Sequence, residues 1–397
     1  MEDVTPPSHR GTVEALVSQS DSLEVATSHG PVVLGYTRTH SIVYLVARNR
    51  EALWPVDLLR SGIVELSLDG SPIRGRVSLI FDAGERARVL DRFREKYGPT
   101  RYERSYAHPA RVLRIDLSTA EQTIVPEDNY YRWLTDEFDN VAADYDQHIL
   151  GNRINRLLRD RSLTLLRSTF SGVRYLLEIG CGSGMETLPL LRDGHEICAV
   201  DISGEMLETV RRKAAQEGLL ERLRTYRLPA RDLPLLLRDI GSGAFDGGYS
   251  TYGALNCEPE LQSLPPILYK LIRPNGRLIA GVYNRWCAFE IVGYVLTGRF
   301  RRAFGRTAHP VLVGASRFCV DVFACSVGEI ERVFAPNFVT ERVHGVPVFL
   351  PPSDLAKYAE KLSSRFQTLE RWDAWFGRRF PFSYLGDHFL LVFRRAQ

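Results

Sequence analysis

The stretch Leu176-Leu177-Glu178-Ile179-Gly180-Cys181-Gly182-Ser183-Gly184-Met185 decides the reading of this chain. An apolar run of strand type enters a turn with glycine at alternate positions, and a helix is predicted after Gly184. Glycine lets backbone approach a ligand that a Cβ would block. A dinucleotide site asks for G-x-G-x-x-G with pyrophosphate on the helix N-terminus. Met185 stands at the third glycine position of that pattern, so the spacing fails. Glu178 suits a cationic group such as an α-ammonium better than a pyrophosphate. Downstream, Ile197–Val200 reads as a second strand ending on Asp201, an acid able to accept two hydrogen bonds from ribose hydroxyls. The glycine turn alone reads equally as a ligand site or an ordinary tight turn. Strand, E-x-G-x-G-x-G, helix, strand and terminal Asp in one register favour the ligand site.

The flanking chain extends this pattern. Further strands are predicted near Leu223–Arg227, Gly247–Ser250, Arg277–Val282, Phe338–Val343 and Phe389–Phe393, with helices at Glu205–Glu217 and Glu260–Ile272. Such alternation means a parallel sheet covered on both faces, with ligands at the carboxyl ends of its strands. Ahead of it, residues 12–118 read as mostly β: Leu23–Thr27, Val32–Tyr36, Ser41–Ala47, Ile63–Leu68, Ile73–Phe81 and Arg111–Leu117, with one helix at Ala83–Tyr97 ended by Gly98-Pro99. That is a small barrel with added helices. Residues 119–137, acidic and irregular, are the expected linker.

Composition narrows the function classes. Of 397 residues 44% are apolar and 25% charged, so a sizeable core forms and disorder is excluded as the main state. A balance of 51 Lys+Arg against 48 Asp+Glu implies neither nucleic acid nor an anionic membrane as an obligatory partner. No apolar run approaches the ~20 residues of a membrane span, and the first residues lack a signal-peptide pattern. Six cysteines at 181, 198, 257, 287, 319 and 325 form no CxxC pair, so no metal site is expected. The expectation is a soluble, cytoplasmic protein with reduced thiols.

The constellation from strand 175–179 to Asp201 resembles class I S-adenosylmethionine-dependent methyltransferases, over roughly residues 138–395 of a domain expected to span 138–397. Phe138-Asp139-Asn140-Val141-Ala142-Ala143-Asp144-Tyr145-Asp146 resembles the F-D-x-x-A-x-x-Y-D entry helix that covers the cofactor in such enzymes. Phe245-Asp246-Gly247-Gly248-Tyr249 resembles the motif of their fourth strand. Leu271-Ile272-Arg273-Pro274-Asn275-Gly276 resembles the L-x-P-G-G turn, with Asn275, which tolerates left-handed backbone angles, at one glycine position. The resemblance implies a Rossmann-like seven-stranded α/β sheet with an antiparallel last strand. It also implies S-adenosylmethionine bound by Tyr145, Glu178, Gly180, Cys181, Gly182, Gly184, Asp201, Ile202 and Met206. The family's acid-Ala pair at the adenine is replaced by Pro229-Ala230, so adenine recognition falls to backbone near Ala230 and Arg231, or to Asp232.

The acceptor is expected at the same edge. Tyr252 and Asn256 can line its pocket, although Asn256 can equally cap the next helix. Insertions near 284–327 and 349–386, rich in Phe, Tyr and Trp, read as a cap over a small, partly apolar acceptor. His388 opens the last strand and can act as base with Asp387 as orienter, or be only a polar strand start. The run Arg299 to Arg306 grips an acidic group or forms a solvated helix face.

The front domain resembles, less specifically, the split-barrel flavin- and deazaflavin-binding oxidoreductases, through Trp54–Gly62, Ile63–Gly70 and Ile73–Val77. That resemblance implies FMN or F420, with Arg38-Thr39-His40 nearest to the phosphate grip. The alternative is a barrel without cofactor that packs on the rest of the chain or forms a homodimer. Three functions stay open at this level: a small-molecule methyltransferase with a structural front domain, a bifunctional enzyme that is also a reductase, and a cofactor-binding regulator without turnover.

Overall fold

The computed structural model describes residues 22–27, 30–39, 41–47, 54–68, 71–107, 109, 111–117, 126–308, 310–313, 320–362 and 365–397. They form two compact units, divided between Asn140 and Val141.

In the first unit, β1 (Ser22–Val25), β2 (Val32–Thr39), β3 (Ile42–Ala47), β4 (Ile63–Leu68), β5 (Ser71–Leu79) and β6 (Arg111–Asp116) close into a barrel of order β1-β2-β3-β6-β5-β4. All its pairs are antiparallel. The short helix α1 (Trp54–Ser61) precedes β4. The helix α2 (Ala83–Ser105) is interrupted at Gly98, whose φ of 72° and ψ of 161° are non-helical, with Pro99 starting the second piece. Phe93, Tyr97 and Tyr106 cluster against β2, where the Tyr97 hydroxyl both accepts from the Tyr36 N–H at 2.8 Å and donates to the Tyr36 carbonyl at 3.0 Å.

The expected linker is corrected here. Of residues 119–137, the described part is helical, within α3 (Pro126–Val141). Tyr131, Leu134, Phe138 and Val141 recur at helical spacing, a period obscured by the surrounding acids. The helix is tied to the barrel. Asn129 donates to the Leu59 carbonyl at 3.1 Å, Arg132 to the Val77 carbonyl at 3.2 Å, and buried Arg111 pairs with buried Glu137 at 3.1 Å.

The second unit is a seven-stranded sheet of order β14-β15-β11-β10-β7-β8-β9. Its strands are β7 (Tyr175–Ile179), β8 (Glu196–Asp201), β9 (Leu223–Arg227), β10 (Phe245–Ser250), β11 (Ile272–Tyr283), β14 (Phe338–Val346) and β15 (His388–Arg395). β7 to β11 pair in parallel, and β15 runs antiparallel to both β11 and β14. Successive strand residues serve opposite faces. Leu176, Ile197 and Ile279 pack with α4 (Tyr145–Gly151) and α5 (Arg153–Thr169) nearby, and with α6 (Thr187–Arg192) and α7 (Gly204–Gln216). Leu177, Cys198 and Leu278 pack with α8 (Leu233–Ile240), α9 (Leu264–Leu271) and, beyond it, α12 (Val327–Phe334). Asn275 adopts φ 62° in the turn at the start of β11.

The register of β15 decides where the site is. His388 stands opposite Tyr283 on β11 and Val346 on β14, at the carboxyl edge of both. From that edge leave two caps. The first holds α10 (Ala288–Leu296), α11 (Phe300–Ala303) and the pair β12 (Val311–Val313) and β13 (Val320–Val322). The second holds α13 (Ala356–Lys361) and α14 (Phe366–Phe376). Among the described residues no helix is long and apolar enough to cross a membrane.

Candidate active site

The three glycines of the turn have different reasons. All have positive φ: 72° at Gly180, 51° at Gly182 and 86° at Gly184. A Cβ on Gly180 would meet Ala254 Cβ at 2.3 Å, and one on Gly184 would meet Val210 Cγ2 at 2.3 Å, so both are packing glycines. A Cβ on Gly182 would meet only Tyr145 Cε1, at 4.0 Å. The space beside Gly182, walled by the Tyr145 ring, is thus open. Cys181 is buried beneath the turn, and burial pushes its thiol well above its usual range.

Asp201 holds this turn in shape. One carboxylate oxygen accepts from the Gly182 N–H at 2.7 Å and the other from the Ser203 N–H at 2.9 Å. Ser203 caps α7 through the Met206 N–H, at 3.1 Å, burying Met206 at the base, and Ile202 stays half-buried. Glu178 is buried and accepts from the Thr187 hydroxyl at 2.6 Å. Burial raises its carboxyl to about 8, with the charge of Glu186 adding and the Thr187 hydrogen bond and Arg159 opposing. Such a group regains its charge when a cation settles beside it.

Tyr145 and Asp146 open α4 against the turn. Asp146 accepts from the Ser183 hydroxyl and from Lys213, whose ammonium also donates to the Ser183 carbonyl at 2.8 Å. Burial raises the Tyr145 hydroxyl, while Arg159 opposes and Glu186 and Asp201 add, so these charges face one small space. In the segment expected to meet adenine, Ala230–Asp232 form a single turn. The Arg231 N–H donates to buried Glu258 at 3.2 Å, which corrects its expected availability as a backbone donor. Glu258 lies 27 residues from Arg231 and has no local signature.

The surroundings of Tyr252 and His388 are built differently. Tyr252 carries φ 60°, strained for an aromatic residue. Its ring stacks on His388 with centroids 5.7 Å apart and lies 3.8 Å from the Arg159 guanidinium, while its hydroxyl donates to Asn155. His388 meets the Tyr283 ring edge-on at 5.3 Å and shares a small cavity with Leu158, Ser162, Val346 and Leu390. Its Nδ1 lies 3.1 Å from Asp387 Oδ2.

Behind the pair lies a buried chain of charges that the sequence did not disclose. Arg306, 5% exposed, donates to Asp387 Oδ1 at 2.6 Å, to both oxygens of Glu290 at 2.6 and 2.8 Å, and to the carbonyls of Asn284 and Asp387 at 3.0 Å each. Burial pushes Asp387 up, but Arg306 and His388 outweigh it and hold the carboxyl at about 2. An ionised carboxylate only accepts, so Nδ1 carries the proton and Nε2 keeps its lone pair in the neutral ring. The arginine run therefore divides: Arg299, Arg301 and Arg302 are exposed, whereas Arg306 grips acids of its own chain. Cys287, Glu290 and Asp387 offer donor atoms within 4.8 Å of one another, but the Arg306 guanidinium already answers both carboxylates.

Asn256 is a correction. It is 1% exposed, and its amide accepts from the Tyr283 N–H at 2.7 Å and donates to the carbonyls of Phe323 at 2.9 Å and Tyr283 at 3.3 Å. It clamps the end of β11 to the first cap instead of facing a ligand. In the barrel, Arg92 donates to the Arg38 carbonyl at 3.2 Å and to the Thr39 hydroxyl, and His40 lies outside the described residues.

Comparison with known proteins agrees with this geometry. Residues 176–276 match the family described as "Methyltransferase domain". The 18S rRNA (guanine-N(7))-methyltransferase RID2 of Arabidopsis thaliana is 32% identical over 105 residues, covering 26% of this chain and 34% of its own length. The ubiquinone/menaquinone biosynthesis C-methyltransferase UbiE of Geotalea daltonii is 25% identical over 147 residues, 36% of this chain and 59% of its own. The ubiquinone biosynthesis O-methyltransferase of a Caulobacter species is 34% identical over 119 residues, 30% of this chain and 44% of its own. The chain thus spans between a third and three fifths of these relatives. The family match begins after the barrel and lends no support to FMN or F420 there. What it covers is the glycine turn, Asp201 and the strand before Tyr252, and the chain therefore carries a methyltransferase domain over residues 176–276.

Proposed function

We propose that the chain is an S-adenosylmethionine-dependent methyltransferase acting on a small, partly apolar acceptor, with His388 as general base. The observation that carries the reading is one shared edge. The open space beside Gly182, bounded by Tyr145 and Asp201, adjoins Arg159, whose guanidinium lies over the ring of Tyr252, itself stacked on His388. When bound, S-adenosylmethionine supplies an electrophilic methyl group. The residues supply the rest. Asp201 accepts from ribose hydroxyls, Glu178 answers the ammonium, and Tyr145 covers the turn. Tyr252, Leu158 and Leu390 orient the acceptor and exclude water. His388 takes the acceptor's proton at Nε2, and Asp387, kept ionised by Arg306, stabilises the imidazolium that results.

One of the relatives is named for rRNA and two for quinone biosynthesis. The narrow space at His388, lined by Leu158, Tyr252, Val346 and Leu390, favours the small acceptor. The domain arrangement proposed with this reading is a barrel without cofactor followed by the catalytic unit. The test is transfer of labelled methyl from S-adenosylmethionine into cell extracts. Label in the low-mass, solvent-extractable fraction is the expected result. Label in RNA, or none despite cofactor binding, would overturn it.

A further inference from the structure

We propose that the tips of the two caps form one surface that binds an anionic lipid bilayer. This inference does not rest on the catalytic reading.

The first tip is α10 and α11. The sequence of α10, Ala-Phe-Glu-Ile-Val-Gly-Tyr-Val-Leu, is almost wholly apolar, yet none of its residues is buried. Val292 is 57% exposed, Leu296 81% and Phe300 61%. A helix of this composition normally faces a core, and an apolar face left in water marks an interaction site. Residues 291–308 contain four arginines and no acid. Arg306 is buried, and Arg299, Arg301 and Arg302 stand exposed among the apolar side chains.

The second tip repeats the pattern with different residues. Trp372 is 50% exposed, Trp375 54% and Phe380 81%. Arg371, Arg378 and Arg379 are exposed between them, and Arg379 lies 3.8 Å over the Trp375 ring. The one acid of 371–380, Asp373, is buried, with its carboxylate held by the N–H groups of Val348, Phe349 and Leu350. The caps join at their bases, where the Ala288 N–H donates to the Leu385 carbonyl at 2.9 Å.

Six exposed arginines with interleaved Trp, Phe and Leu match the bilayer interface, where aromatic rings settle at headgroup depth and guanidinium groups meet lipid phosphate. A second copy of this chain fits worse, because it would bring six like charges against six.

Vesicle flotation with the full-length chain tests the proposal. The chain should float with phosphatidylcholine vesicles doped with phosphatidylglycerol and stay behind with phosphatidylcholine alone. Each basic residue near an anionic surface is worth about 1 kcal/mol, or roughly fivefold. The combined R299E, R301E and R302E variant should therefore lose more than about a hundredfold in partition, and Leu296→Asp with Phe300→Asp should lose binding at unchanged circular dichroism. All these positions are exposed and outside the catalytic residues. No flotation of the parent, or equal binding by the charge-reversed variant, overturns the proposal. So does a parent dimer that Leu296→Asp dissociates, which would make the face a self-interface.

Discussion

The edge proposed to hold the cofactor and the edge proposed to take the acceptor, the cofactor edge and the acceptor edge of the one sheet, are built by opposite means. At the cofactor edge the glycines, Asp201 and Ser203 lie within 24 residues of one another, and their hydrogen bonds are mostly to backbone. At the acceptor edge the partners are side chains remote in sequence: Arg306 to Asp387 across 81 residues, Tyr252 to Asn155 across 97. The charge states differ too. Glu178 is pushed up to about 8 by burial without a cation paired to it, whereas Asp387, equally buried, is held at about 2 by Arg306 and His388. On the proposed reading one edge takes its cation from a ligand, whereas the other already contains its own. A local turn can be written as a motif. A preorganised charge chain depends on the fold bringing its members together.

The largest expected effect falls on the acceptor edge. His388→Ala should lower turnover by roughly 10²–10⁴-fold, the usual range for a lost general base, with cofactor affinity unchanged. Single-turnover kinetics alongside calorimetry read both quantities, and a mutant as fast as its parent would make His388 a strand-edge residue only.

Asp201→Ala strikes the other edge. It would remove the two proposed ribose hydrogen bonds, each worth about 1–1.5 kcal/mol or more to a charged acceptor, so cofactor affinity should fall tenfold or more. It also frees the Gly182 N–H. Unchanged affinity by calorimetry in the folded mutant would refute the assignment.

The two acids should respond to pH in opposite senses. The folded-state pKa of Glu178 is raised, from 4.5 to about 8, so its stabilising contribution is present below about 4.5 and is lost as pH rises through about 8. That of Asp387 is lowered, from 3.8 to about 2, so its contribution is present above about 3.8 and is lost as pH falls through about 2. Thermal unfolding of unliganded protein across pH should therefore flatten on the alkaline side in Glu178→Gln and on the acid side in Asp387→Asn. Identical profiles in the two variants would remove the contrast between the edges.

The smallest expected effect belongs to the barrel. A chain beginning at Val141 keeps the whole seven-stranded sheet and all the cofactor-edge residues, so its affinity for S-adenosylmethionine should stay within about twofold of the full chain, well under the ~1.4 kcal/mol of a decade. A folded truncation that does not bind would show that the barrel contributes to the site.

Much of this was legible because it is periodic or local. Strand alternation, the glycine spacing from Gly180 to Gly184 and an acid closing the next strand need only neighbours in sequence, since steric limits on φ and the two-residue pleat act over a few residues. The helix at 126–141 was obscured because acids crowd its apolar period, and its stability comes from barrel contacts such as Arg111 with Glu137. Asn256 looked like a wall or a cap, and only the approach of Tyr283 and Phe323 made it a clamp.

The sequence by itself determined the order of strands, the ligand turn and the chemistry of its residues. Tertiary structure alone decided which glycine opens onto free space, that Arg306 is an internal counter-ion while Arg299 is exposed, and that Asp387 stays ionised behind His388. The reason is physical. Burial and pairing energies depend on distances across the fold, and two charges 81 residues apart have no energy in common until β11 and β15 bring them to 2.6 Å.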